Sequence, residues 1–147
     1  MDAFRYSQPL RRALWLGGSP CSGKTTIAHY LAARYGLALY TCDDHLWQHA
    51  AQADALQQPN LARMPSFSWD ALFMRPVGEM LCDEIAIYRQ EFPMIAADLL
   101  TTWPDAPIIV EGAALLPECV APLIDPERAV WVVPSEAFLR RTYPQRG

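Results

Sequence analysis

Gly18-Ser19-Pro20-Cys21-Ser22-Gly23-Lys24-Thr25 sets two glycines around four residues and follows them with a lysine and a hydroxyl. No other stretch constrains the chain as tightly. Glycines at the two ends let backbone N–H groups point inward with no side chain in the way. A helix starting at Lys24 adds its N-terminal amides to the same ring, making an anion cradle. In such a cradle the lysine reaches the β- and γ-phosphates of a nucleotide, and the Thr25 hydroxyl meets Mg²⁺. The same letters could form a turn that happens to hold a lysine, and the flanks decide between the two. Residues 13–18, "ALWLGG", form a short apolar run ending in glycine, which suits a buried strand. An amphipathic stripe follows, as the phosphate-loop context requires. The expected nucleotide contacts are therefore Gly18, Ser19, Pro20, Cys21, Ser22, Gly23, Lys24, Thr25 and Thr26.

The remainder alternates strand and helix patterns. Ile27, Leu31 and Tyr35 recur at helical spacing beside Ala28 and Ala32, and Gly36 supplies a stop. Strands are expected over 37–42, 106–112 and 129–134. The last two are continuous apolar runs, as in parallel strands covered on both faces. Residues 1–12 are a polar lead-in. Residues 45–58 predict a helix and 59–66 a loop, with Ser66 or Ser68 capping the next helix. Pro76 restarts a helix carrying Val77, Leu81, Ile85 and Tyr88 on one stripe, and Pro93 starts another, ending near Trp103. This alternation predicts one α/β domain over 1–147, with right-handed crossovers. Trp69, Phe73, Trp103 and Trp131 are expected in the core.

The composition narrows the partners. A formal net charge of −4 leaves no basic face for nucleic acid. With 12 Lys and Arg in all, a phosphate must be held by a dedicated local site. Cys21, Cys42, Cys82 and Cys119 form no C-x-x-C pair, so neither a zinc site nor a disulfide framework is expected. Reduced thiols fit a cytoplasmic protein. The apolar residues after Arg11-Arg12 are too few for a signal segment or a membrane span, so no membrane partner is expected.

Two acidic positions bear on the chemistry. Asp43-Asp44 directly follows the second strand, at the carboxyl edge where parallel sheets bind ligands. A carboxylate there can take the proton of an attacking hydroxyl, with Asp44 placed ahead of Asp43, or the pair can cap the following helix. Glu111 ends the apolar run "IIVEG". An acid there is costly to bury without a nearby cation, and a Mg²⁺ shared with Thr25 would supply one.

"GGSPCSGKTT", "CDDH" and "IIVEGAALLP" together resemble the small-molecule kinase branch of P-loop proteins, whose loop is also called Walker A. That branch includes nucleoside and nucleoside-monophosphate kinases, shikimate and gluconate kinases, and uridine-kinase-like and chloramphenicol-phosphotransferase-like enzymes. The resemblance implies a three-layer P-loop NTPase fold with a parallel sheet in 2-3-1-4 order, here lacking the fifth strand. It implies an ATP- and Mg²⁺-dependent kinase that transfers the γ-phosphate to a small-molecule acceptor. Lys24 and one of Asp43 and Asp44 would be catalytic, and Thr25 and Glu111 would hold the metal. Residues 45–103 would form the acceptor region. Residues 135–147 would open a lid in a C-terminally shortened member, with Arg140, Arg141 and Arg146 as phosphate-neutralising candidates. Cys21 departs from the family, many of whose members have glycine there. The alternatives are a regulatory nucleotide-binding protein with little turnover and a zeta-toxin-like nucleotide-sugar kinase. Within the acceptor region, His45, Trp47, His49, Arg63 and Arg75 are further ligand candidates, each more ordinarily core or solvated surface. Cys42, like Cys21, falls near the site.

Overall fold

The computed structural model describes residues 8–68, 70, 74–103 and 105–142. Trp69 and Phe73, expected in the core, lie outside the described residues. Four strands, β1 (Leu14–Gly18), β2 (Ala38–Thr41), β3 (Ile108–Glu111) and β4 (Ala129–Val132), form one parallel sheet in the order β2-β3-β1-β4. This is the expected α/β arrangement and the expected 2-3-1-4 order. The helices are α1 (Gln8–Arg12), α2 (Lys24–Tyr35), α3 (Cys42–Gln52), α4 (Pro59–Arg63), α5 (Val77–Thr102), α6 (Pro117–Val120) and α7 (Glu136–Thr142).

Alternate strand residues face opposite sides of the sheet and build two apolar layers. Trp15, Tyr40, Ile108 and Val110 pack with Leu10 of α1 and with Phe92, Ile95, Ala96 and Leu99 of α5. On the other face Leu16 and Ile109 pack against Ala28 of α2, with Leu31, Ala32 and Leu39 alongside. A third cluster, Ala50, Leu61 and Met64, joins α3 to α4 and to the 3₁₀ turn Met64–Ser66.

Several local expectations are corrected. Residues 8–12 form a helix instead of a lead-in, because Leu10 is fully buried and its carbonyl accepts a hydrogen bond from Trp15 Nε1 at 3.1 Å. Residues 59–66 are α4 and a 3₁₀ turn, anchored by buried Leu61, and not a loop. On α2 the inward face centres on Ala28 and not on the Ile27–Tyr35 stripe: Ile27 and Tyr35 are exposed, and the small alanine lets the helix lie close to the sheet. Pro93 neither ends nor starts a helix, since α5 runs through it. Pro93 sits on the exposed side, so the carbonyl it leaves without a donor faces water. β4 is an edge strand with Val130 exposed, so the apolar run there is not covered on both faces. Trp103 and Trp131 pack against the core only partly buried.

Gly112 follows β3 and packs against the first residue of α3. A Cβ on it would lie 2.6 Å from Cys42 Cβ and 2.8 Å from its sulfur. The missing side chain lets α3 close onto the end of β3. Gly112→Ala is expected to lower stability by about 1–3 kcal/mol through overpacking. Urea unfolding measures this, and an unchanged midpoint would contradict the tight contact.

Candidate active site

The loop between β1 and α2 carries three positive-φ residues, Gly18, Cys21 and Gly23. Gly18 (φ +125°) runs so close to β4 that a Cβ would lie 2.1 Å from the Val132 carbonyl oxygen, so only glycine fits. Gly23 precedes the first turn of α2 with φ +90°. Cys21 is a non-glycine residue at φ +59°. Its backbone is left-handed at a cost of about 1 kcal/mol, which gives a physical reason for glycine at that position in the proteins this loop resembles.

Lys24 is buried, and its Nζ donates to the Ser19 carbonyl at 2.7 Å and to Ser22 Oγ at 3.5 Å. The ammonium thus spans the loop from inside. Ser19 Oγ is buried and meets no hydrogen-bond partner among the described residues. Such a hydroxyl suits a ligand oxygen.

The sheet register brings the acidic residues to this loop. Glu111 lies level with Leu16 of β1 and with Thr41 of β2. Thr25 Oγ1 donates to Glu111 Oε1 at 3.0 Å, joining the first turn of α2 to the end of β3. Glu111 is 1% exposed. Burial pushes its carboxyl above the ordinary range; the Thr25 bond and the Lys24 charge pull it back, and Asp43 pushes it further up. Hard oxygen donors on a buried carboxylate and a hydroxyl suit Mg²⁺ that keeps waters and phosphate oxygens as its other ligands. Among the described residues no group of three or more His, Cys, Asp and Glu is arranged to hold a metal by itself.

α3 starts at Cys42, so Asp43 and Asp44 occupy its first turn, where carboxylates favour the helix dipole. Asp43 acts electrostatically on Glu111, Glu91, Cys42 and Tyr88, and it lines a cavity of about 350 Å³. Both aspartates are exposed, and of the two only Asp43 lines that cavity. The cavity lies between α3, the turn at Met64 and the first half of α5, with Trp47 and Arg75 on its walls. A second cavity of about 210 Å³ touches Gly18, Ser19 and Pro20, and Glu84 and Tyr88 line both. Val77 and Leu81 of the expected α5 stripe are exposed, Leu81 and Ile85 wall the smaller cavity, and Tyr88 both walls it and packs against the core.

The other candidates fall elsewhere. Arg140 donates to Glu136 at 2.6 Å on exposed α7, and the Arg141 guanidinium lies 5.6 Å from the centre of the Phe138 ring. Arg146 lies outside the described residues. Arg63 is bound to Asp83 at 2.7 Å. None of the four cysteines forms a disulfide. Burial and the nearby Glu91, Asp43 and Glu111 push the Cys42 thiol well up, which makes it a packing group and not a nucleophile.

Sequence reasoning missed a polar network beneath the site. His49, almost fully buried, sits between Glu91 Oε1 at 2.9 Å and Asp98 Oδ2 at 3.0 Å. Tyr40 donates to the same Asp98 oxygen at 2.8 Å and stacks on His45 with ring centres 4.3 Å apart. His45 and His49 thus tie α3 to α5 and β2, and neither lines the larger cavity. Glu91, a carboxylate within an otherwise apolar helix face, was the available signal.

The chain returns no match among protein-family models, curated proteins or solved structures. Among the described residues no helix is long and apolar enough to cross a membrane.

Burial opposes charge on His49, yet its two carboxylates outweigh this and raise its pKa above the ordinary value. Burial likewise raises the Glu91 carboxyl, partly offset by His49. In both cases the folded state holds more protons than the unfolded chain, so stability falls as pH rises. The His49 contribution is full below about pH 6.5 and is lost as pH climbs through the folded value. Urea midpoints at pH 6 and pH 8 should therefore drop more for the wild type than for His49→Gln. Equal drops would remove the network from the account.

Proposed function

We propose that this chain is a P-loop phosphotransferase that uses ATP and Mg²⁺ to phosphorylate a hydroxyl of a small molecule. The observation that carries the reading is the Thr25–Glu111 hydrogen bond of 3.0 Å beside a loop spanned by Lys24. It joins the hydroxyl and the carboxylate that such a site uses for its metal. The parallel sheet with helices on both faces and the loop's place between β1 and α2 are compatible with the P-loop fold.

In this reading the loop amides and Lys24 hold the phosphates of ATP, with Ser19 Oγ as a further donor. Thr25 and Glu111 would hold Mg²⁺, which supplies neutralisation of charge on the β- and γ-phosphate oxygens. The acceptor occupies the 350 Å³ cavity, with its hydroxyl toward Asp43. Asp43 accepts the hydroxyl proton as the oxygen attacks the γ-phosphorus, and the bond to the β,γ-bridging oxygen breaks to release ADP. Catalysis comes mainly from positioning and from charge stabilisation.

A regulatory nucleotide-binding role is the second reading. The pairing of Arg140 with Glu136 favours it, because that guanidinium, a candidate for neutralising the transferred phosphate, is held by a carboxylate of its own helix.

ADP release with ATP, Mg²⁺ and a pooled metabolite extract separates the two. Acceptor-dependent release is expected. Lys24→Ala should abolish it together with ATP binding. Asp43→Asn should lower kcat by about 10²–10⁴ with ATP binding retained, while Asp44→Asn falls far less. Tight ATP binding with no acceptor-dependent release would leave the regulatory reading.

A further inference from the structure

The walls of the larger cavity carry more than its position. Leu46, Trp47, Met64, Met80 and Ile87 give it an apolar body, and Trp47 is 48% exposed with an accessible ring. Its ionisable lining is Asp43, Asp83, Glu84 and Arg75: three carboxylates facing one guanidinium. Adding Arg63, which pairs with Asp83 from outside, still leaves the balance negative. These groups are also largely committed. Asp83 accepts from Arg63 at 2.7 Å, Arg75 at 2.5 Å and Asn60 at 2.9 Å, and Glu84 accepts from Tyr88 at 2.6 Å. Arg75 Nε is different: it is buried and has no hydrogen-bond partner among the described residues.

A phosphate or a second carboxylate brought here would meet a negative field, while Arg75 Nη1 already donates to Asp83. One N–H donor beside an apolar wall and an indole calls instead for a single neutral acceptor oxygen on a ring-bearing molecule. We infer that the acceptor is an uncharged, ring-bearing alcohol with a carbonyl or ether oxygen. Its ring packs on Trp47, its oxygen accepts from Arg75 Nε, and its hydroxyl points to Asp43. Phosphorylated and acidic metabolites are rejected by the carboxylates of the same cavity. This assignment rests on the reading of the cavity as the acceptor site of a phosphotransferase.

The test is ligand-observed NMR on the full chain without ATP. The probes are ring-bearing alcohols in matched uncharged, carboxylated and phosphorylated forms, including uridine and uridine 5′-monophosphate. Binders are expected from the uncharged set. Their affinity should fall about tenfold or more in Trp47→Ala, whose half-exposed side chain can be removed without opening the core, and in Arg75→Lys, which keeps the charge but loses the Nε donor. Three results would overturn the assignment: charged forms that bind as tightly as their uncharged partners, no binding by any uncharged probe, or uncharged binders unaffected by both variants. Because binding is read without ATP, this outcome is distinct from failure of phosphoryl transfer. A bound neutral alcohol that is never phosphorylated sinks the enzyme reading alone, and turnover of a phosphorylated acceptor sinks this inference alone.

Discussion

One buried carboxylate organises the site. Glu111 lies at the end of β3, level with Leu16 and Thr41, and among the described residues its side chain has one hydrogen-bond partner, the Thr25 hydroxyl at 3.0 Å. A carboxyl group in that position is expensive to ionise in a low-dielectric interior, and one neutral donor does not repay the cost. The fold nevertheless brings Lys24, and also Asp43, within electrostatic reach of it. Gly112 makes the second approach possible, because only a residue without a side chain lets Cys42 close onto the strand end. Under the proposed function, the Mg²⁺ of a bound nucleotide would supply the further cation that this carboxylate calls for.

The parts legible in the sequence are those whose partners are close in the chain. The loop has its strand, its glycines and its helix within Leu14–Tyr35. Glu111 stood out as an acid ending an apolar run, and its pairing with Thr25 followed from the chemistry expected of the loop. The order of the strands came through resemblance, since no local pattern encodes which parallel strand lies beside which. The choice between Asp43 and Asp44 turned on where α3 begins. Neighbouring residues on a helix point about 100° apart, and with α3 starting at Cys42 both are exposed but only Asp43 reaches the cavity wall.

The illegible parts depend on distant contacts. Tyr40, His49, Glu91 and Asp98 form one network across separations of 42 to 58 residues. His49 reads in sequence as a ligand candidate of the acceptor region, and in the fold it is buried with two carboxylates of α5 against it. Pro93 carried a local rule that tertiary packing overrode, since Phe92 and Ile95 on either side belong to the same core. These buried contacts hold α3 and α5 at a fixed distance, and the cavity lined by Trp47, Arg75 and Asp43 is the space left between them.

The central claim is that Glu111 and Thr25 are the protein's share of a Mg²⁺ site on a bound nucleotide. Calorimetric titration of ATP with and without Mg²⁺, in the wild type and in Glu111→Gln, tests it most directly. The account predicts that Mg²⁺ tightens ATP binding to the wild type by about tenfold or more, a difference of about 1.4 kcal/mol, and that this gain disappears in Glu111→Gln while metal-free ATP binding survives. An equal Mg²⁺ gain in both proteins would contradict it.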